Sequence, residues 1–205
     1  WCCLVGSEMC IRDSFNTVVD DSQRMTNIQD PVSGVAQVVK NAGDIEYRGF
    51  EIDGVYTMTD TITMVASLGY VHSKYKNLIS DLTGDFIIDA LDYALEVPRA
   101  APLTYSLGFN IDGNLGTWRS ITRISYYHRD KSYYNENNQG FINEQDILNF
   151  GYDIYSSDGK INIGVYGKNL SNEVKHGGDT NLSFGGTFAP LAKGKIVGAE
   201  LVYKF

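Results

Sequence analysis

The sequence lacks features that would place it in several common protein classes. Its three cysteines, Cys2, Cys3 and Cys10, all fall within the first ten of 205 residues, so they cannot form a disulfide framework through the fold. No segment approaches the roughly 20 consecutive apolar residues of a transmembrane helix. The formal charge is −8, whereas nucleic-acid-binding surfaces are normally basic. These absences argue against a disulfide-stapled domain, a helical membrane protein and a nucleic-acid partner.

The sequence also lacks the spacings that support catalysis or metal binding. The histidines His72, His128 and His176 are far apart and have no ligand spacing around them. The four aspartates between residues 81 and 92 do not match a calcium loop. Ser73 and Lys76 match an S-x-x-K pattern, but on a strand they would lie on opposite faces. We therefore predict no catalytic residue, no metal, no cofactor and no enzymatic activity.

What the chain does contain is a repeated alternation of apolar and polar residues, with 14 tyrosines and 21 glycines but only 4 prolines. Such a period of two is typical of strands with two different faces. Together with a weaker strand over 15–28, these stretches predict about eight strands, and 34–39 is expected to be a short loop ribbon. The alternating stretches cover 44–58, 61–75, 103–112, 115–128, 147–155, 160–170 and 197–205.

The connections between these stretches alternate between short and long. Short turns are expected at 59–60, 113–114 and 157–159, and long loops at 76–101, 129–140 and 171–194. In such an arrangement each strand returns beside the one before it, with short turns at one end and long loops at the other. The pattern predicts an antiparallel up-and-down meander.

Three properties favour a transmembrane β-barrel over a soluble β-sandwich. Several stretches run for about 9–15 residues, as tilted membrane strands do, whereas sandwich strands usually have about 5–6. The opposite faces are rich in Gly, Ser, Thr and single charges, as a wet lumen would be. Aromatic residues gather toward the strand ends, as in membrane-interface girdles; they are Tyr70, Tyr75, Trp118, Tyr126 and Tyr127. We predict an all-β transmembrane barrel and keep a soluble β-sandwich binding module as an alternative.

Two segments and the closing strand carry a resemblance to a known family. The run NAGDIEYRGFEIDG, residues 41–54, and the run VYGKNLSNEV, residues 165–174, resemble barrel-strand motifs of TonB-dependent outer-membrane receptors. A last strand that ends in Phe completes the resemblance, which covers residues 15–205. The matching positions are Asn41, Gly43, Gly49, Phe50 and Glu51, then Lys168, Asn169, Leu170, Asn172 and Glu173, and finally Phe205.

The resemblance implies a C-terminal fragment, of about eight strands, of a 22-stranded barrel with a plugged lumen. Residues 14–205 are expected to be barrel, with the N-terminal plug missing from this chain. Residues 1–13 belong to WCCLVGSEMCIRDS, which looks unlike the rest of the chain and resembles translated adapter sequence. We therefore expect 1–13 to be a non-native leader.

The resemblance also implies a location in the bacterial outer membrane and active transport of scarce ligands such as ferric siderophores. The implied partners are outer-membrane lipid, TonB through the missing N-terminal region, the barrel-assembly machinery, and a small-molecule or metal-chelate ligand. The alternative within the same membrane is a complete eight-stranded barrel that acts as an anchor or adhesin.

Two residue sets are candidate sites. Arg119, Arg123 and Tyr127 share one polar strand face and are expected either to pair with Glu51, Asp53 or Asp153 or to lie on the path of an anionic ligand. Loop 177–190 is expected to be an external loop, with ligand capture as its possible role. The other set lies on the closing strand, which is expected to alternate to its last residue and to carry the barrel-assembly signature Leu201, Tyr203 and Phe205.

Overall fold

The computed structural model describes residues 2–5, 8–32, 34–175, 180–181 and 187–205. Nearly all regular structure in these ranges is strand, and the one short helix lies in a loop. The elements are β1 (Cys2–Val5), β2 (Glu8–Asp30), β3 (Gly34–Thr59), β4 (Ile62–Leu78), α1 (Ala90–Tyr93), β5 (Leu103–Leu115), β6 (Trp118–Arg129), β7 (Ser132–Tyr133), β8 (Phe141–Ile142), β9 (Gln145–Tyr155), β10 (Ile161–Lys168), β11 (Thr180–Asn181), β12 (Thr187–Phe188) and β13 (Ile196–Tyr203).

One antiparallel sheet contains the long strands in chain order, β1-β2-β3-β4-β5-β6-β9-β10-β13. Each long strand pairs with the one before it, so the predicted up-and-down meander is confirmed. The pairs β7–β8 and β11–β12 are separate two-stranded ribbons within the long loops. In the described part of the chain the sheet is open, because β1 and β13 form its two edges and do not pair with each other.

The pairing register places the apolar residues of successive strands on one face. Phe109 lies opposite Met64 on one side and Ile124 on the other, and Ile124 lies opposite Phe150. The same face continues to β13, where Leu201 is 71% exposed. The sheet thus presents an apolar face that no other layer of the described chain covers, and the predicted alternation is confirmed.

Two turn and strand boundaries differ from those expected. The turn between β5 and β6 lies at 116–117 rather than 113–114, because Gly116 supplies the positive φ of 63° that a tight turn requires. Gly113 instead pairs with Ser120 inside the ladder. Residues 34–39 are not a separate ribbon but the first part of β3, which pairs with the far end of β2.

An aromatic band is present on the apolar face, but its members differ from the expected set. Phe50 stacks on Tyr70 with ring centroids 5.7 Å apart, and Tyr105 lies 4.8 Å from His128 and 6.0 Å from Tyr126. These rings lie toward the long-loop end of their strands, as an interfacial band would. His128 therefore belongs to this band.

Tyr75 and Tyr127 do not belong to the aromatic band, because strand alternation places both on the polar face. Tyr75 lies opposite Ile45 and is only 4% exposed. It packs in a buried cluster with Leu78 and Val97 where the loop after β4 folds over the polar face. The expectation that Tyr75 and Tyr127 form part of an outward girdle was wrong.

The loop after β4 is held together by two carboxylates. Asp92, in α1, is fully buried and accepts hydrogen bonds from the backbone N–H groups of Leu82 (2.7 Å), Thr83 (3.0 Å) and Asp89 (3.0 Å). Asp81 accepts from the N–H of Phe86 at 2.7 Å. The aspartates of this loop thus satisfy backbone donors that would otherwise be unpaired.

This loop is joined to the loop between β6 and β9. The Asn138 side chain accepts from the N–H of Glu96 (2.8 Å) and donates to its carbonyl (2.9 Å). The N–H of Arg99 donates to the Tyr133 carbonyl at 2.7 Å, and its guanidinium lies 4.7 Å from the centre of the Tyr134 ring. The two loops therefore form one connected layer at the long-loop end.

The last strand ends at Tyr203 rather than at the final residue, although the Phe205 ring packs edge-on against Tyr203 at 5.1 Å. Residues 8–13 pair with 51–56 of β3. None of the helices in the described ranges is long and apolar enough to cross a membrane.

Candidate ligand-binding site

The polar face of β6, β9 and β10 carries the charged residues singled out from the sequence. Alternation places Arg119, Arg123 and Tyr127 on this face, four residues apart along β6. At about 3.3 Å per residue, neighbouring members of this row lie roughly 13 Å apart along the strand. The structure thus confirms that the three share a face but does not gather them into one site.

Arg119 is bound to the neighbouring strand rather than across the sheet. Its Nη2 and Nε atoms lie 2.5 and 3.1 Å from Oδ1 of Asp112 on β5. The two side chains are 63% and 47% exposed, so solvent screens the pair and it contributes little to stability. The sequence analysis did not consider Asp112 as a partner, because the register of β5 against β6 was unknown.

Arg123 forms an ion pair with Asp153 on β9, as one of the predicted pairings proposed. Asp153 is only 14% exposed while Arg123 is 51% exposed. The carboxylate lies over Gly164 of β10, where an added Cβ would come within 2.6 Å of its Oδ1 atom. Gly164 therefore provides the space that lets Asp153 hold the guanidinium against the sheet.

An open cavity of about 380 Å³ lies beside this ion pair on the polar face. Its two cations, Arg123 and Lys168, outnumber the single carboxylate of Asp153, so an anionic group would be attracted to it. The amide of Asn149 adds hydrogen-bonding capacity. The cavity is lined by Arg123, Ser125, Asn149, Phe150, Gly151, Tyr166, Gly167 and Lys168.

Two glycines position the aromatic wall of this cavity. Tyr166 of β10 lies opposite Gly151 of β9 on one side and Gly198 of β13 on the other. A Cβ on Gly198 would lie 2.5 Å from Cζ of the Tyr166 ring, so the ring rests against the backbone of β13. The Nζ atom of Lys168 lies 5.7 Å from the ring centre, within reach of a cation–π contact.

The Asn-rich motif after β10 fixes the rim of the cavity. Asn169 is 7% exposed and has φ of 50°, which Asn tolerates better than most residues. Its side chain donates to the carbonyls of Glu173 (3.1 Å) and Lys193 (2.9 Å), while its N–H donates to the Asn149 side chain at 3.0 Å. The motif noticed in the sequence therefore ties the last long loop to β9.

The sequence analysis missed most of the cavity. Of its predicted site residues only Arg123 lines the cavity, and Tyr127 lies further along the face, opposite Ser106. Lys168 was noticed as part of a motif but not as a site residue. The signal that could have found it is strand parity, the alternation that assigns each residue to one face of its strand. Lys168, Tyr166 and Arg123 all occupy polar-face positions on β10 and β6, the two strands that flank β9.

Nothing in the described ranges suggests a metal centre, since no three His, Cys, Asp or Glu side chains converge there. His176 and most of the expected loop 177–190 lie outside the described residues. No nucleophile–base pair lies among the residues that line the cavity.

The described chain is an antiparallel sheet with one apolar face and one polar face, as in the wall of a membrane β-barrel. Its polar face carries the cationic cavity. No family model matches the sequence, and no curated protein is similar to it. Solved structures, in contrast, match over essentially the whole chain.

These structures are receptors and transporters. The ferric yersiniabactin uptake receptor FyuA from Yersinia pestis is 16% identical and has a TM-score of 0.79 over 100% of this chain. BauA, the ferric preacinetobactin receptor from Acinetobacter baumannii, is 13% identical with a TM-score of 0.69 over 98%. The copper transporter OprC is 14% identical with a TM-score of 0.66 over 100%.

The chain spans 28%, 28% and 31% of the lengths of these three proteins. The resemblance to TonB-dependent outer-membrane receptors is therefore confirmed at the level of the fold: the chain has the antiparallel β-barrel fold of these receptors. Its polar face corresponds to the lumen side of such a barrel, and its apolar face to the outer side.

Proposed function

We propose that this chain is part of the barrel wall of a bacterial outer-membrane active transporter that takes up ferric siderophores or similar metal chelates. The observation that carries the proposal is the cationic cavity of Arg123 and Lys168 on the lumen side of a sheet with this fold. Many metal chelates are anionic, so a lumen recess with two cations would attract them. Transport rather than catalysis is the proposed role.

The polar residues along β6 indicate a route for the ligand through the barrel. Tyr127 lies toward the long loops, Arg123 beside the cavity, and Arg119 toward the short turns. We propose that a ligand passes them in this order after capture at the long-loop end. The ion pair with the largely buried Asp153 holds the Arg123 guanidinium against the wall, whereas solvent screens the exposed Arg119–Asp112 pair.

The remaining parts of the proposal rest mainly on the sequence resemblance rather than on the cavity. Energy would come from TonB, which would act through a plug domain encoded outside residues 14–205. Residues 1–13 are proposed to be a non-native leader; Arg12 supports this, because its position opposite Ile52 is on the apolar face. The signature Leu201, Tyr203 and Phe205 is proposed to be read by the barrel-assembly machinery.

The other two readings are less well supported. A complete eight-stranded barrel requires its first and last strands to pair, and in the described residues β1 and β13 are open edges. A soluble sandwich buries its apolar face against a second sheet, whereas residues such as Leu201 and Val197 are 71% and 69% exposed.

The test uses the complete receptor purified in detergent and expressed in cells. The double variant Arg123→Ala/Lys168→Ala should weaken binding of a ferric chelate by about a hundredfold or more, since each of the two lost hydrogen bonds to a charged group contributes about 1.5–3 kcal/mol. Uptake of the radiolabelled chelate should fall in parallel. Lys160→Ala, at an exposed turn on the opposite end, is the control and should change neither quantity.

Unchanged chelate affinity and uptake in the double variant, with normal heat-modifiable gel migration, would contradict the proposed site. Extraction of the protein without detergent would contradict the membrane location itself.

A further inference from the structure

Beyond the aromatic band, the outer face of β3 and β4 changes from apolar to charged. Alternation from Phe50 places Arg48 and Glu46 on the same face, and they lie opposite His72 and Lys74 of β4. At about 3.3 Å per residue they stand roughly 7 and 13 Å beyond the stacked Phe50–Tyr70 pair. This level lies outside the segment of β3 that would cross the hydrocarbon layer.

One buried carboxylate gathers three cations at this level. The Glu46 side chain is 4% exposed, and its oxygens lie 2.5 Å from Arg48 Nη2, 3.1 Å from Lys76 Nζ and 3.4 Å from Lys74 Nζ. The three cations are themselves 55%, 40% and 43% exposed. Three positive charges against one negative charge leave this group, the Glu46 cluster, with a net charge of +2.

Glu46 stays ionised over the whole physiological range. Burial raises the pKa of Glu46, but hydrogen bonds from Lys76, Arg48 and Lys74 outweigh it and lower the pKa to about 2. Asp44, the next carboxylate along β3, accepts hydrogen bonds from the Asn77 side chain at 2.7 Å and from the Asp21 N–H at 3.0 Å. Because these donors are neutral, Asp44 keeps its own negative charge, and the cluster together with Asp44 carries a net charge of +1.

We propose that Arg48, Lys74 and Lys76 bind the phosphate groups of a lipid headgroup in the leaflet around the long-loop end. The inference rests on the membrane location given under the proposed function. An aromatic band marks the headgroup level, and a cluster of cations just beyond it meets lipid phosphates directly. Glu46 holds the three cations close together, so that they can contact several phosphate oxygens of one headgroup at the same time.

The test is native mass spectrometry of the complete, delipidated receptor in detergent. The probes are a diphosphorylated glucosamine lipid, phosphatidylcholine and inorganic phosphate. The double variant Lys74→Gln/Lys76→Gln should bind the diphosphorylated lipid about 10- to 30-fold more weakly, since each cation near a lipid surface contributes about one factor of five. The matched control Lys160→Gln/Lys204→Gln removes the same charge at the short-turn end.

Retention of lipid affinity in Lys74→Arg/Lys76→Arg, with loss in the Gln variant alone, supports the proposal. Arg48→Gln, expected to weaken binding about fivefold, tests it if the double variant does not fold. Equal affinities of the Gln variant and the control overturn the inference, as does binding of inorganic phosphate without a preference for the lipid. If chelate uptake persists in that case, the inference fails while the proposed function stands.

Discussion

Replacing Asp92 should open the loop between β4 and β5 while leaving the barrel wall intact. Its fully buried carboxylate accepts hydrogen bonds from three backbone N–H groups, those of Leu82, Thr83 and Asp89. Hydrogen bonds to a charged group contribute about 1.5–3 kcal/mol each, and a buried donor left unpaired costs a similar amount. Allowing for rehydration when the loop opens, Asp92→Ala should lower the free energy of loop opening by about 3–6 kcal/mol.

Hydrogen exchange, followed by mass spectrometry on the complete receptor, measures the free energy of this loop opening. A loss of about 3 kcal/mol or more corresponds to over a hundredfold faster exchange of the Leu82 and Thr83 amides, since about 1.4 kcal/mol is a factor of ten. Asp92→Asn keeps an acceptor for the Leu82 and Thr83 amides but loses the charge, so we expect these amides to exchange roughly tenfold faster than in the wild type. The control Asp85→Ala removes one exposed bond to the Ile87 N–H and should change exchange by less than about threefold.

Exchange of the Leu82 and Thr83 amides that stays within about threefold of wild type in Asp92→Ala would refute this reasoning. So would an equal acceleration in the strands, because the carboxylate contacts the loop backbone rather than the sheet.

Two further predictions concern pH and the cavity wall. Burial raises the pKa of Asp92, but its backbone hydrogen bonds outweigh this and hold the pKa below the ordinary 3.8; the stabilisation is therefore complete above that value and is lost as the pH falls below it. A spin label at residue 87 should stay equally immobile from pH 7 to pH 5 and gain mobility below about pH 4, and mobility rising already at pH 6 would contradict this. Gly198→Ala would place a Cβ against the Tyr166 ring, so it should displace the ring and weaken chelate binding; unchanged affinity and unchanged Tyr166 fluorescence would show that the ring does not shape the cavity.

The sequence could predict which of the two sheet faces each strand residue occupies. The two faces are set by local alternation, so the residues that share a face with Phe109 or with Arg123 can be read without knowing the neighbours of each strand. The meander followed from the alternation of short and long connections. Tyr70 and Tyr126 show how far this reasoning reaches, since their place in the aromatic band follows from strand parity and position along the strand.

Register and loop packing lay beyond such reasoning. Whether Arg119 meets Asp112 or Asp153 depends on the pairing of β5, β6 and β9, and a shift of one residue changes every partner. Gly113–Asn114 looked like a hairpin turn, yet Gly116 took that role three residues later. Alternation along β4 already places Tyr75 on the polar face, so its assignment to an outward girdle disregarded that alternation. The loop that buries Tyr75 on this face is defined by contacts distant in sequence.

The joint between the two long loops has a consequence for how their surface can vary. Asn138 binds only main-chain atoms of residue 96, and the Arg99 N–H binds a main-chain carbonyl. Because every residue type except proline offers these backbone groups, the side chain at position 96 and its exposed neighbours can be exchanged without undoing the joint. The outermost surface can thereby diversify on a scaffold that keeps its shape.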